Sequence, residues 1–266
     1  MRSTVSCVAS ARGRREHGHG AQGTTLTQKL ACRVEEVVSH GDRVFTVALR
    51  PERRAPRFRA GQFLHLALDA YDPTRFWPDS RVFSIASPPS QPDLLRISYS
   101  VRGRFTERME RELVEGQQVW IKMPYGDFVI GREADVVLFA GGTGISAFTA
   151  FLENLQADGG HSVTLAYGAR TDRLLIYRDM VERCASQAPS LRTVYFVEDL
   201  DGDDSESAVA PRRAGRVSVE ALWPSLPRPF ESAFYISGPP LMLQTVSRDL
   251  RTRGIATEAI HIDAWE

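Results

Sequence analysis

The stretch "SRVFSIAS", Ser80 to Ser87, sets Arg81, Phe83 and Ser84 close together on an otherwise apolar run. A strand alternates its faces, so Arg81, Phe83 and Ile85 share one side and Val82, Ser84 and Ala86 the other. A guanidinium and a ring on one face suit a flat ligand that carries phosphate. A plain edge strand of a β-barrel is the alternative. In "VRGRFTERM", Gly103 and Phe105 precede a helix expected to begin at Thr106, whose amides and hydroxyl could receive a phosphate group. Thr106 could equally cap its own helix. Arg81 beside that helix end would complete a diphosphate clamp. In "VVLFAGGTGISAF" a strand ends at Ala140, Gly141, Gly142, Thr143 and Gly144 turn the chain, and a helix follows. Amides at a helix start bind phosphate, and glycines let a ligand approach the backbone. The pattern is neither GxGxxG nor the lysine-bearing Walker loop. Two phosphate loops imply two nucleotides, one in each half of the chain, with their reactive ends meeting between the halves.

The elements that must hold these residues fall into two regimes. From residue 31 to about 130, six short runs rich in β-branched and aromatic residues ("CRVEEVV", "RVFTVAL", "QFLHLAL", "RVFSIAS", "LLRISYSV", "QVWIKM") predict an antiparallel barrel. One helix, Thr106 to Val114, interrupts them. After Gly131 apolar strands alternate with helices: "DVVLFA", a helix from Ile145 to Gln156, "SVTLAYG", a helix from Asp172 to Ala185, "LRTVYFV", a short helix near Val219, "AFYIS", a helix from Pro240 to Arg253, and "EAIHID". That alternation predicts an α/β domain with a parallel, doubly wound sheet. The expected division is a tail over 1–28, a barrel over 29–130 and an α/β domain over 131–266. The loop Asp199 to Ala214 carries "EDLDGDD", which lacks the glycine spacing and closing Glu of a calcium loop and reads as a solvated segment.

Composition narrows the partners. The chain has 266 residues and no net charge, which argues against nucleic acid. All but two of its 33 basic residues, Lys29 and Lys122, are arginine. Cys7, Cys32 and Cys184 form no CxxC pair and the histidines no HxxxH pair, so no protein-bound metal is expected. Free thiols suggest a reducing, cytoplasmic setting. No apolar run approaches a membrane span. Residues 1–28 lack the apolar core of a secretion signal; a disordered tail, an overextended start or a transit peptide are the readings left open.

"RVFS" resembles the Arg-x-aromatic-Ser motif of the ferredoxin–NADP reductase superfamily. "AGQF" (60–63), "GRFT" (103–106), "PYGDF" (124–128), "GGTGI" (141–145), "YGAR" (167–170) and "SGPPLM" (237–242) follow in that family's order. The resemblance spans residues 31 to 266. It implies a flavin barrel followed by an NAD(P)-binding domain, and a flavoprotein reductase that passes a hydride from NAD(P)H to FAD and electrons to a separate acceptor. That acceptor would be a ferredoxin, an oxygenase component or a small oxidant. Carried over residue by residue, Arg81, Gly103 and Thr106 would hold the FAD diphosphate. Phe83 would pack on the flavin and Ser84 would bond near N5. Val82, Ser100 and Phe105 count with the flavin-binding residues. Gly141, Gly142, Thr143 and Gly144 would hold the NAD(P) diphosphate, and Gly238 and Pro239 would border the nicotinamide. Ser237, Asp263 and Trp265 join Ser84 as candidate catalytic residues. Trp265 could cover the flavin face or simply pack the last strand.

The chain departs from the family pattern at three places. Phe83 stands where Tyr is frequent, Ser237 where many members have Cys, and Ala147 where proline is common. Arg170 and Arg173 follow the second strand of the sheet, where a 2′-phosphate would lie, and no acidic residue precedes them to take a 2′-hydroxyl. The reading leans to NADPH over NADH on that ground; Arg173 as a solvated helix-start residue is the rival. A reductase that uses flavin as a diffusible substrate, and a non-catalytic module that kept the fold, are the competing functions.

Overall fold

A computed structural model describes residues 26–131, 134–155, 160–199 and 210–264. Six strands build the first sheet: β1 (Gln28–Ser39), β2 (Val44–Pro51), β3 (Phe63–Ala67), β4 (Ser80–Ser84), β5 (Leu95–Ser100) and β6 (Gln118–Tyr125). Their order is β4-β3-β6-β1-β2-β5, all neighbours antiparallel. The two edge strands approach each other beyond β4, where Ala86 N–H donates to the Arg96 carbonyl of β5 at 2.8 Å. The sheet therefore closes almost into a barrel. Its interior is filled by alternate residues such as Leu49, Leu64, Leu66, Ile85, Ile97, Val119 and Ile121, all essentially inaccessible to water.

The helix of the barrel, α1, runs Arg104–Glu112, two residues earlier at each end than the sequence predicts. Gly103, in extended backbone, is its N-cap. Thr106 is the third helical residue, and its hydroxyl accepts from the Gly103 N–H at 3.1 Å. Phe105 and Met109 bury their side chains in the barrel core.

The second sheet is parallel throughout: β7 (Asp135–Gly141), β8 (Val163–Ala169), β9 (Leu191–Val197), β10 (Arg212–Ala214), β11 (Ser232–Ser237) and β12 (Ile260–Asp263), in the order β10-β9-β8-β7-β11-β12. The chain moves outward from β7 to β8 and β9, then crosses back to β11 on the other side of β7. The crevice at the carboxyl ends of β7 and β11 is thus the switch point where doubly wound sheets bind ligands. A 3-10 turn (Gly142–Ile145) precedes α2 (Ser146–Leu152), so the helix expected from Ile145 starts one residue later; Gln156 lies outside the described residues. The helix expected from Asp172 is a 3-10 turn (Asp172–Leu174) followed by α3 (Arg178–Gln187). The remaining helices are α4 (Val219–Leu222) and α5 (Pro240–Thr252). Of the stretch expected as a tail, residues 1–25 lie outside the described residues and Gln28 already opens β1. Cys32, within β1, is buried, and its thiol is pushed up to about 12 by that burial and by Glu52. Among the described residues no helix is long and apolar enough to cross a membrane, and no group of His, Cys, Asp and Glu could hold a metal ion.

The two sheets share packing. Val44, Ala86 and Phe128 from the barrel side belong to one buried cluster with Ile145, Phe148 and Tyr167. Thr149 donates its hydroxyl to the Ala86 carbonyl at 2.6 Å. Arg96 forms a two-pronged pair with Glu153 at 2.8 and 2.9 Å. A hydroxyl chain links Thr46, Ser98 and Tyr177 at 2.8 and 2.9 Å.

Candidate active site

On the barrel, β4 is an edge strand bonded on one side to β3, with Arg81 opposite Leu66, Val82 opposite His65, Phe83 opposite Leu64 and Ser84 opposite Phe63. Phe83 therefore points to the barrel side and is half-buried. Its inner edge meets Tyr99, with ring centroids 6.2 Å apart and planes at 63°. Tyr99 stacks on Phe45. Its buried hydroxyl finds no hydrogen-bond partner among the described residues, and burial, with Glu110, pushes it above the usual tyrosine range. Arg81 lies over the Phe105 ring with its Cζ 5.2 Å from the centroid, so the guanidinium does stand at the start of α1. It donates to Asp79 at 3.0 Å and to the Ser80 carbonyl at 2.8 Å, and the pair is more than half exposed. So exposed an ion pair is weak and yields readily to a phosphate. A side chain at Gly103 would meet no atom within 4 Å: the space in front of the helix start is open. The first amides of a helix lack intrahelical acceptors and face such a space. Val82 and Ser100 are half-buried at the rim, Ser100 ending β5 opposite Val44.

Thr106 takes the capping role. Its hydroxyl accepts from Arg102 N–H at 2.9 Å and Gly103 N–H at 3.1 Å, and donates to the Gly103 carbonyl at 2.9 Å. A hydroxyl has one proton and two lone pairs, and these three bonds use them at the helix start.

On the α/β side, the Gly141–Gly144 turn and the Ser237–Pro239 turn lie against each other at the carboxyl ends of β7 and β11. A Cβ on Gly144 would fall 2.4 Å from the Ser237 carbonyl oxygen, and one on Gly141 would fall 2.7 Å from Met242 Sδ and 2.8 Å from Pro239 Cδ. These two glycines serve the close approach of two turns. Gly142, with φ of 53° and no neighbour where a Cβ would sit, faces open space. Ser237 and Asp263 end adjacent strands in register, both nearly inaccessible, and the Ser237 hydroxyl donates to Asp263 Oδ2 at 2.8 Å. Trp265 lies outside the described residues.

The two half-sites adjoin. Ala86, two residues past Ser84, receives the Thr149 hydroxyl of the helix that follows the glycine turn, and β5 lies against that same turn. Arg170 and Arg173 stand at the carboxyl edge of β8, but neither is free. Asp42, in the β1–β2 turn of the barrel, places Oδ2 3.0 Å from Arg170 Nη2 and Oδ1 3.3 Å from Arg173 Nη2. Local sequence pattern does not reveal Asp42, because 128 residues separate it from Arg170.

Residues 138–248 match the family described as oxidoreductase NAD-binding domain. The flavohemoprotein of Deinococcus radiodurans is 32% identical over 188 residues, 69% of this chain and 45% of that protein. The ferredoxin reductase component of the 3-ketosteroid-9-alpha-monooxygenase of Mycobacterium tuberculosis is 29% identical over 220 residues, 81% of this chain and 57% of that one. The chain thus spans about half the length of these curated relatives. Among solved structures, the Amycolatopsis cytochrome P450 reductase GcoB superposes with a TM-score of 0.76 at 20% identity, covering 90% of this chain and 70% of that one. The FAD/NAD-binding domain of the Vibrio cholerae nitric oxide dioxygenase does so with 0.72 at 19% identity, covering 88% and 97%. These likenesses support the ferredoxin–NADP reductase superfamily. In this chain the barrel precedes the parallel sheet, as the resemblance implies. The open start of α1, the guanidinium beside it and the half-exposed Phe83 fit a flavin diphosphate and ring. The buried Ser237–Asp263 pair and the glycine crevice fit a nicotinamide nucleotide.

Proposed function

We propose that this chain is an NAD(P)H-dependent flavoprotein reductase that carries FAD on the barrel, residues 29–130, and takes NAD(P)H at the switch point of the α/β domain, residues 131–266. One observation carries the reading: two helix starts with open space before them, at Gly103 and at Gly142, stand on halves that the Ala86–Thr149 hydrogen bond joins. Arg81 and the α1 amides would hold the FAD diphosphate, Phe83 would support its ring and Ser84 would donate toward it; FAD held there would supply the means to take a hydride from the nicotinamide and pass electrons to an acceptor. The turns at Gly142 and Gly238 seat the nicotinamide nucleotide. Asp263 fixes the Ser237 hydroxyl, so that Ser237 presents a set oxygen to the incoming ring. The relatives that are reductase components of oxygenases support a separate protein acceptor, a ferredoxin or an oxygenase component.

The test is the visible spectrum of the purified protein, followed by NADH or NADPH without oxygen. Flavin bands that bleach on addition support a bound-flavin reductase. A colourless protein that oxidises NAD(P)H only with added free flavin makes flavin a diffusible substrate. A colourless protein that does neither refutes the enzyme reading.

A further inference from the structure

The β1–β2 turn crosses from the barrel to the α/β domain. Gly41, Asp42 and Arg43 take φ of 82°, 49° and 58°, a run of left-handed backbone that aims the Asp42 carboxylate outward. The turn is tied on both sides. Arg43 forms a two-pronged pair with Glu110 of α1. Asp42 bridges Arg170 and Arg173, and the Arg173 guanidinium lies flat over Gly41, 3.0 Å from where a Cβ would be. The backbone of Arg170 is held in turn, its carbonyl accepting the Asp199 N–H at 2.8 Å. Arg170 directly follows β8, the second strand of the doubly wound sheet, where the ribose of a bound adenosine lies and where an arginine would receive a 2′-phosphate.

We propose that Asp42 is a specificity residue that turns the nucleotide site away from a 2′-phosphate, so that NADH is the preferred donor. The inference rests on the proposed reductase reading and reverses the lean to NADPH that the arginines alone suggested. A carboxylate between two guanidinium groups already occupies the place and geometry a phosphate would take. Two arginines and one carboxylate leave a single net positive charge. A 2′-phosphate, carrying close to two negative charges, must either displace Asp42 or sit beside it. NADH meets neither obstacle. All three side chains are substantially solvated, so the discrimination is modest in size.

The experiment compares adenosine 2′,5′-bisphosphate with adenosine 5′-monophosphate by calorimetry on the full chain, wild type and Asp42→Asn. Asparagine accepts left-handed backbone, so the turn is retained. Expected is a gain of roughly five-fold in bisphosphate affinity, with monophosphate affinity unchanged. Adding Arg170→Ala and Arg173→Ala to Asp42→Asn removes the gain. Monophosphate binding with no gain in Asp42→Asn overturns the role of Asp42 and leaves the nucleotide site standing. So does a gain that survives the two arginine substitutions. Failure of both nucleotides to bind any variant overturns the nucleotide-site reading and this inference with it.

Discussion

Ser84 and Ser237 are chemically alike and differently placed. Ser84 ends an edge strand, opposite Phe63, and is half-buried. Ser237 is buried and committed to Asp263. A donor that meets the reacting nitrogen only as charge develops is worth about 10²-fold in rate, so Ser84→Ala should slow anaerobic flavin reduction by that order with FAD content unchanged. Stopped-flow absorbance reads it, and unchanged kinetics would remove Ser84 from the chemistry. Ser84 is marked in the sequence by the resemblance of "RVFS" to the Arg-x-aromatic-Ser motif, not by strand alternation. Thr106 reads from sequence as a cap or a ligand, and its three hydrogen bonds at the start of α1 show the capping role. Asp42 was illegible: its meaning comes from two arginines in the other half of the chain, and local pattern carries no long-range pairing.

Elements carried the clearest sequence signal where periodicity was long. All six barrel strands and the main strands of the parallel sheet overlap the runs that alternation and apolar content mark, with β1 starting four residues before its run and β6 ending two after. The three-residue β10 left no trace, since it exists only by pairing with β9. The start of α1 was misplaced because a glycine cap in extended backbone gives no side-chain signal. The sequence predicts the glycine turn as one phosphate loop, and the structure adds that Gly141 and Gly144 also allow its close contact with the next turn. That difference separates two substitutions. Gly144→Ala forces a methyl against the Ser237 carbonyl and should cost about 1–3 kcal/mol while weakening nucleotide binding. Gly103→Ala meets open space, should cost at most about 1 kcal/mol as a poorer cap, and should weaken FAD binding instead. Thermal melting together with FAD and nucleotide titrations distinguishes them. The reading of the two cradles fails if both variants lose the same ligand.

At the scale of the molecule, acid stability falls to a group far from the site. Asp135, at the amino end of β7, is buried, which alone would raise its pKa. Hydrogen bonds from Ser162 and the pair with Arg228 at 3.0 and 3.1 Å outweigh burial and hold it below the usual carboxylate range. A pKa depressed by folding contributes stability above the unfolded value, and that contribution is lost as pH falls through the folded value. Arg228→Ala raises the folded pKa, costs about 1 kcal/mol at neutral pH given the exposed arginine, and should move the onset of acid unfolding upward. Melting temperature followed from about pH 7 to about pH 3 reads the shift, and a superimposable profile would count against it. The barrel's seam has a further consequence. It runs along β4, which is bonded only to β3 within the sheet and joined to β5 just past its end. The strand expected to lie under the flavin is thus the one whose outer amides the barrel leaves unladdered. Deuterium uptake over residues 80–84 should therefore drop sharply when FAD is added, while the β1 amides, laddered on both sides, hardly change. The prosthetic group would then act as the missing stave of the barrel, and its loss would be felt first as a loosening of the wall that holds it.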